Sequence, residues 1–75
     1  MTKVNLEKKF SQFSEHWQPK LAGRVNETDV RLVKIKGDFD WHQHAHEDEM
    51  FVVIKGEMRM AFRDRVERVR AGEFI

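Results

Sequence analysis

"WHQHAHEDEMFVVIKGEM", Trp41 to Met58, is the stretch on which the reading of this chain turns. Three of the four histidines, His42, His44 and His46, fall within five positions, and Glu47, Asp48 and Glu49 follow. Side chains at i, i+2 and i+4 of a strand share a face, so these imidazoles can all point the same way. Glu49 has the opposite parity. For its carboxylate to join them the chain must bend between Ala45 and Asp48, and "AHED" suits a loop. Two imidazoles two residues apart, with a carboxylate from the start of the next strand, can surround one divalent ion. Neutral imidazole suits Zn, Cu, Fe and Ni, and the carboxylate keeps Mn and Fe in play. The competing reading is a hydrophilic loop that binds metal only adventitiously. Against it stands the position of the cluster, between Trp41 and the apolar "MFVVI". Polar groups wedged between apolar strand segments need partners.

Outward from this stretch the texture is that of short strands. "MFVVIK" is an almost continuous apolar run and predicts a strand buried on both faces, punctuated by Gly56. "EMRMAF" alternates, with Met58, Met60 and Phe62 on one face and Arg59 and Arg63 on the other. "RDR" then reads as a turn, "VERVR" as a strand and "AGE" as a turn. Upstream, "KLAGRV" and "VRLVKIK" flank "NETD", the pattern of a hairpin. Strands so closely spaced predict an antiparallel sandwich or barrel. Met58 and Met60 read as core filling. Trp41, Phe51, Met58, Met60 and Phe62 either line a cavity or form plain core.

The N-terminal segment is different. In "NLEKKFSQFSEHW", Leu6, Phe10, Phe13 and Trp17 recur at helical spacing, Asn5 suits the N-cap and Pro19 ends the pattern. The expectation is one short N-terminal α-helix within residues 1–19, packing its apolar stripe on a barrel formed by residues 20–75. His16 has polar neighbours and reads as a surface residue.

Seventy-five residues allow one domain with a small core, which usually needs a disulfide, a metal or a partner subunit. There is no cysteine, so a metal or oligomerisation is left. Charged residues make up 36% of the chain, yet the net charge is +1, and the arginines of "RDRVERVR" are interrupted by Asp64 and Glu67. That is a solvated face rather than a nucleic-acid patch, and no nucleic-acid partner is expected. No run of about 18 apolar residues exists, so no membrane span is expected. The first residues lack the apolar run of a signal peptide, and a cytoplasmic location is the expectation.

The stretch from Trp41 to Met58 resembles the first motif of the cupins. That motif runs Gly, a few residues, His-x-His, three or four residues, Glu, six residues, Gly. Here His42-x-His44 is followed by four residues, Glu49, six residues and Gly56, and Gly37 precedes His42 by five positions. From about Lys20 to Ile75 the chain looks like a small single-domain cupin, with "FRDR" and "AGEF" adding to the likeness. The resemblance implies an antiparallel jelly-roll β-barrel with a divalent transition metal (Mn, Fe, Ni, Zn or Cu) held by His42, His44 and Glu49. His46 is not a ligand in the family pattern; it lies just before Glu49 and is kept as a further candidate. Each ligating imidazole would need a partner for its other ring nitrogen.

The family's second motif has no counterpart here. It starts with a glycine, for which Gly72 is the match, and ends in a histidine that is normally the fourth ligand; the sequence runs only to Ile75. The expectation is therefore a C-terminally incomplete barrel with an open edge, completed in a homo-oligomer, a dimer being favoured. A three-ligand site would leave more positions for water or substrate, or lose the metal altogether; alternatively His46 or a residue of another subunit supplies the fourth ligand. Family members include dioxygenases, isomerases and epimerases, so the resemblance selects no reaction, and no catalytic base stands out. The functional expectation is a metal-binding cupin of unassigned activity. The alternative is a non-catalytic cupin fragment, either binding a small molecule in the barrel mouth or purely structural, that completes its barrel by oligomerisation.

Overall fold

The computed structural model describes residues 2–37 and 49–75. The chain forms two compact units, Met1–Trp41 and His42–Ile75. The described residues are β-rich, with four strands and one short helix, and every strand pairing is antiparallel.

In the first unit, α1 spans Leu6–Phe10. Asn5 caps it as expected: its side-chain oxygen accepts from the Lys8 backbone N–H at 3.1 Å. The predicted stripe continues to Trp17, but the helix stops at Phe10. There the Ser11 hydroxyl donates to the Lys8 carbonyl at 2.6 Å, and the Ser14 N–H donates to the Glu15 carboxylate. The Ser11 hydroxyl and the Glu15 carboxylate thus compete with the helical ladder for backbone groups, and so short a helix gains little from its own hydrogen bonds. Phe13 and Trp17 therefore lie beyond the helix. Phe13 stays beside Phe10, with ring centroids 5.9 Å apart.

β1 (Lys20–Val25) and β2 (Thr28–Leu32) form the first hairpin. Its turn is tighter than "NETD" suggested. Asn26 and Glu27 make the turn, and Thr28 and Asp29 already belong to β2. Asn26 takes φ +54°, a left-handed value that asparagine tolerates well. A bulge at Ala22 shifts the register, so that Val25, Val30 and Leu32 share one face while Arg24, Asp29 and Arg31 share the other. Leu32 is buried. Asp29 accepts from Arg24 Nε at 2.8 Å and from Arg31 Nη2 at 2.9 Å. The Arg24 hydrogen bond, then that of Arg31, holds its carboxyl below the usual carboxylate range.

In the second unit, β3 (Glu57–Ala61) and β4 (Val66–Arg70) pair Met58 with Val69 and Met60 with Glu67. The alternation of Met58 and Met60 is as read. Phe62 has left the strand: its N–H closes the "RDR" turn on the Arg65 carbonyl at 2.7 Å, and its ring lies 4.4 Å from the Arg65 guanidinium carbon. Val69 is the most enclosed side chain of this hairpin, at 4% exposure.

The run "MFVVIK" is not buried on both faces. Val52 bridges Phe74, and backbone bonds join Phe51 to Ile75 in both directions at 2.8 and 2.9 Å. Val53 is buried and Phe51 half-buried, whereas Met50, Val52 and Ile54 are exposed. A continuous apolar run does not say whether both faces find cover, and here only one does. Among the described residues the buried apolar side chains are Leu32, Val53 and Val69.

Candidate metal centre

The structure describes the two flanks of the histidine stretch. His42, His44 and His46 themselves lie outside the described residues, as does Trp41. Among the described residues no group of three or more His, Cys, Asp or Glu side chains comes together. His16 is exposed, as expected.

The leading flank is the extended piece that follows β2. It is tied to the N-terminal segment within the first unit. The Trp17 backbone N–H donates to the Lys34 carbonyl at 2.8 Å, and the Trp17 indole Nε1–H donates to the Lys36 carbonyl at 2.9 Å. Lys34 Nζ in turn donates to the Phe13 carbonyl and lies 4.9 Å from the centre of the Phe13 ring. Trp17 makes these bonds from φ +63°, a region that bulky residues rarely occupy. Nothing in the sequence signalled this: the helical spacing of Trp17 pointed to a packed stripe, and the bonds are made across 17 to 19 residues of chain. Gly37 follows at φ +74°.

The trailing flank begins at Glu49. Its side chain is exposed, and no ion pair among the described residues occupies it. Two residues on, Phe51 enters the paired segment with Ile75. Alternation along that segment puts Glu49 in one row with Phe51 and Val53, the residues that face inward, and Met50 in the exposed row. Gly56 then turns the chain into β3 at φ +81°, and its carbonyl accepts from the Ala71 N–H at 3.2 Å. Gly72, after β4, takes φ +88°. The glycines that frame the motif thus occupy backbone conformations that a side chain would disfavour.

The cupin domain family matches residues 30–75, more than half of the chain. This protein belongs to the cupin family. It is 42% identical to a cupin-2 domain containing protein from Shewanella frigidimarina NCIMB 400, whose crystal structure it matches with a TM-score of 0.93 over 96% of this chain and 71% of that one. It is also 44% identical, over 41 residues, to the uncharacterized protein YdbB of Bacillus subtilis (strain 168). That match covers 55% of this chain and 36% of the relative, so this cupin aligns with about a third of that protein's length.

The donor chemistry of the stretch fits a divalent transition ion. Glu49 offers a carboxylate that no described cation neutralises, at the start of a backbone-anchored segment. The sequence before it supplies imidazoles two residues apart. This mixture of nitrogen and oxygen donors is what such ions take. Among the described residues no helix is long and apolar enough to cross a membrane.

Proposed function

We propose that this cupin holds one divalent transition metal ion (Mn, Fe, Ni, Zn or Cu) through His42, His44 and Glu49, inside a β-barrel of jelly-roll type. The observation that carries the reading is Glu49: an exposed carboxylate without an ion-pair partner among the described residues, two positions ahead of Phe51, and in sequence register with a His-x-His and with glycines at left-handed φ on either side. The imidazoles bind as neutral donors through one ring nitrogen each, and the carboxylate supplies the compensating negative charge. His46 stands just outside this set as a further donor. A metal bound in this way supplies Lewis acidity, polarising a carbonyl or a water in its open positions. The reaction it serves is unassigned.

The test is metal content and affinity in variants that keep the fold. His42→Ala with His44→Ala removes two of three donors and is expected to abolish stoichiometric binding. Glu49→Gln keeps size and polarity but removes the charge, and should weaken binding by at least roughly tenfold, the scale on which even supporting residues of metal sites act. His46→Ala is expected to change affinity by less than either. Elemental analysis and calorimetric titration read these outcomes. Undiminished metal in the double-histidine variant would remove the assignment.

A further inference from the structure

In sequence the arginines of "RDRVERVR" are interleaved with acids, and the fold of the second unit undoes that interleaving. β3 and β4 pair Glu57 with Arg70, Arg59 with Arg68 and Ala61 with Val66. Residues directly opposite share a face, so these six lie together, and all are exposed. Met58, Met60, Glu67 and Val69 take the other face. Alternation thus separates Glu67 from the arginine that follows it, and Asp64 stays in the turn. Arg65 engages both acids, with Nη1 3.2 Å from Asp64 and Nε 2.9 Å from Glu67. Glu73 accepts from the Arg70 backbone N–H at 2.7 Å. The exposed face is left with three guanidiniums and one carboxylate, Glu57, which Arg68 Nε meets at 2.6 Å. Arg59 and Arg70 have no ion-pair partner among the described residues. Like charges placed directly opposite on a sheet work against the fold, so stability does not account for Arg59 facing Arg68.

We propose that this face docks an acidic segment of a partner protein, extended and with carboxylates at every second position. Arg68 and Arg70 lie two residues apart on one strand, an advance of about 7 Å. Carboxylates at alternate positions of an extended segment repeat at the same interval, and each can take two parallel hydrogen bonds from a guanidinium. Arg59 stands about 5 Å across from Arg68 and adds a second row. The face fits other anionic partners less well. None of its six side chains is an aromatic on which nucleic-acid bases could stack. Its three arginines fall short of the cluster of about 4–8 cations by which anionic membranes are recognised.

The test titrates the full chain, labelled with nitrogen-15, with a synthetic peptide of about eight residues alternating Thr and Glu, long enough to span both arginines of β4. A peptide with Gln for Glu and a single-stranded oligothymidylate of equal charge are the comparisons. The Nε–H resonances of Arg59, Arg68 and Arg70 are followed by NMR. The Glu peptide is expected to shift all three, the Gln peptide none, and high salt to reverse the effect. The double variant Arg59→Gln with Arg70→Gln should weaken binding roughly tenfold, while Lys55→Gln, which removes a charge of the same unit outside the face, stays within about twofold of wild type. Glu57→Gln frees Arg68 and should strengthen binding roughly threefold, a gain that damage to the fold would not produce. Unshifted arginines at millimolar Glu peptide would overturn the proposal, as would an equal response to the Gln peptide. An equal loss in Lys55→Gln would reduce the effect to net charge and end it too. Tighter binding of the oligothymidylate through the same arginines would make the face a phosphate site and remove the acidic-segment assignment. Should the double variant not fold, Glu57→Gln decides alone, and unchanged or weaker binding there overturns the proposal.

Discussion

Gly56 shows what one residue contributes to this fold. It sits at φ +81° between the paired segment at Phe51–Val53 and β3, and a Cβ built there would meet nothing within 4 Å. The cost of replacing it therefore lies in the backbone and not in a clash. Gly56→Ala is expected to lose about 1–2 kcal/mol, the price of a left-handed conformation for an L-residue. In a domain of this size that lowers the melting temperature by roughly 5–15 °C. Gly56→Asn should lose less, because asparagine visits this region more readily. Melting curves followed by circular dichroism decide it, and an alanine variant as stable as wild type would show that the backbone relaxes freely there. The glycine was legible in the sequence through its spacing from Glu49. Trp17 was not. Its left-handed backbone and paired carbonyl bonds arise from partners 17 and 19 residues away, and helical periodicity in one sequence registers only that an aromatic residue wants cover.

At the scale of elements, the first hairpin carries a compact charge cluster with a pH signature. Asp29 is held below the usual carboxylate range in the folded state by the hydrogen bonds from Arg24 and Arg31. A depressed folded pKa means that the stabilisation is fully present above the unfolded value, about 4, and is lost as pH falls through the folded value. The cluster lies in contact with water, so the effect is small. Asp29→Asn should melt below wild type at pH 7, with the gap narrowing as the wild-type carboxylate is protonated toward pH 3. A gap of equal size at both pH values would mean that Asp29 acts through neutral hydrogen bonds alone. Both hairpins were readable from alternation and turn residues, because period-two patterning and short polar turns are local properties. The helix was over-read for the opposite reason. The spacing of Leu6, Phe10, Phe13 and Trp17 is helical, yet the Ser11 hydroxyl and the Glu15 carboxylate redirect hydrogen bonds and Trp17 is drawn to Lys34 and Lys36. "MFVVIK" was misjudged because hydrophobicity records a demand for cover and not whether the chain meets it.

For the whole molecule, that unmet demand has a consequence. Met50, Val52 and Ile54 follow one another on one side of their segment, and Phe74 joins them through its bridge to Val52. Val52 is 48% and Phe74 68% exposed. Four large apolar side chains in one row are unusual on the surface of a chain in which 36% of residues are charged, and exposed apolar patches mark association sites. A second copy of the same chain is the occupant we propose. An apolar row without charges of its own matches an identical row, and a two-fold pairing buries both at once. The expected state is therefore a homo-oligomer, a dimer first. Phe74→Glu and Ile54→Glu each place a charge in the row at a position that is already exposed, so the isolated chain can keep its fold. Both should shift the protein to monomer in native mass spectrometry and light scattering, because a carboxylate buried without a partner costs more than the lost apolar contact. Metal titration of the monomeric variants then separates assembly from the site. Unchanged nickel affinity would mean that one chain holds the ion alone with water in the remaining positions. A loss of affinity that tracks dissociation would mean that the neighbouring chain supplies or orders part of the ligand set. A wild-type protein that is monomeric across the micromolar range would end the dimer proposal and leave the row for a different partner.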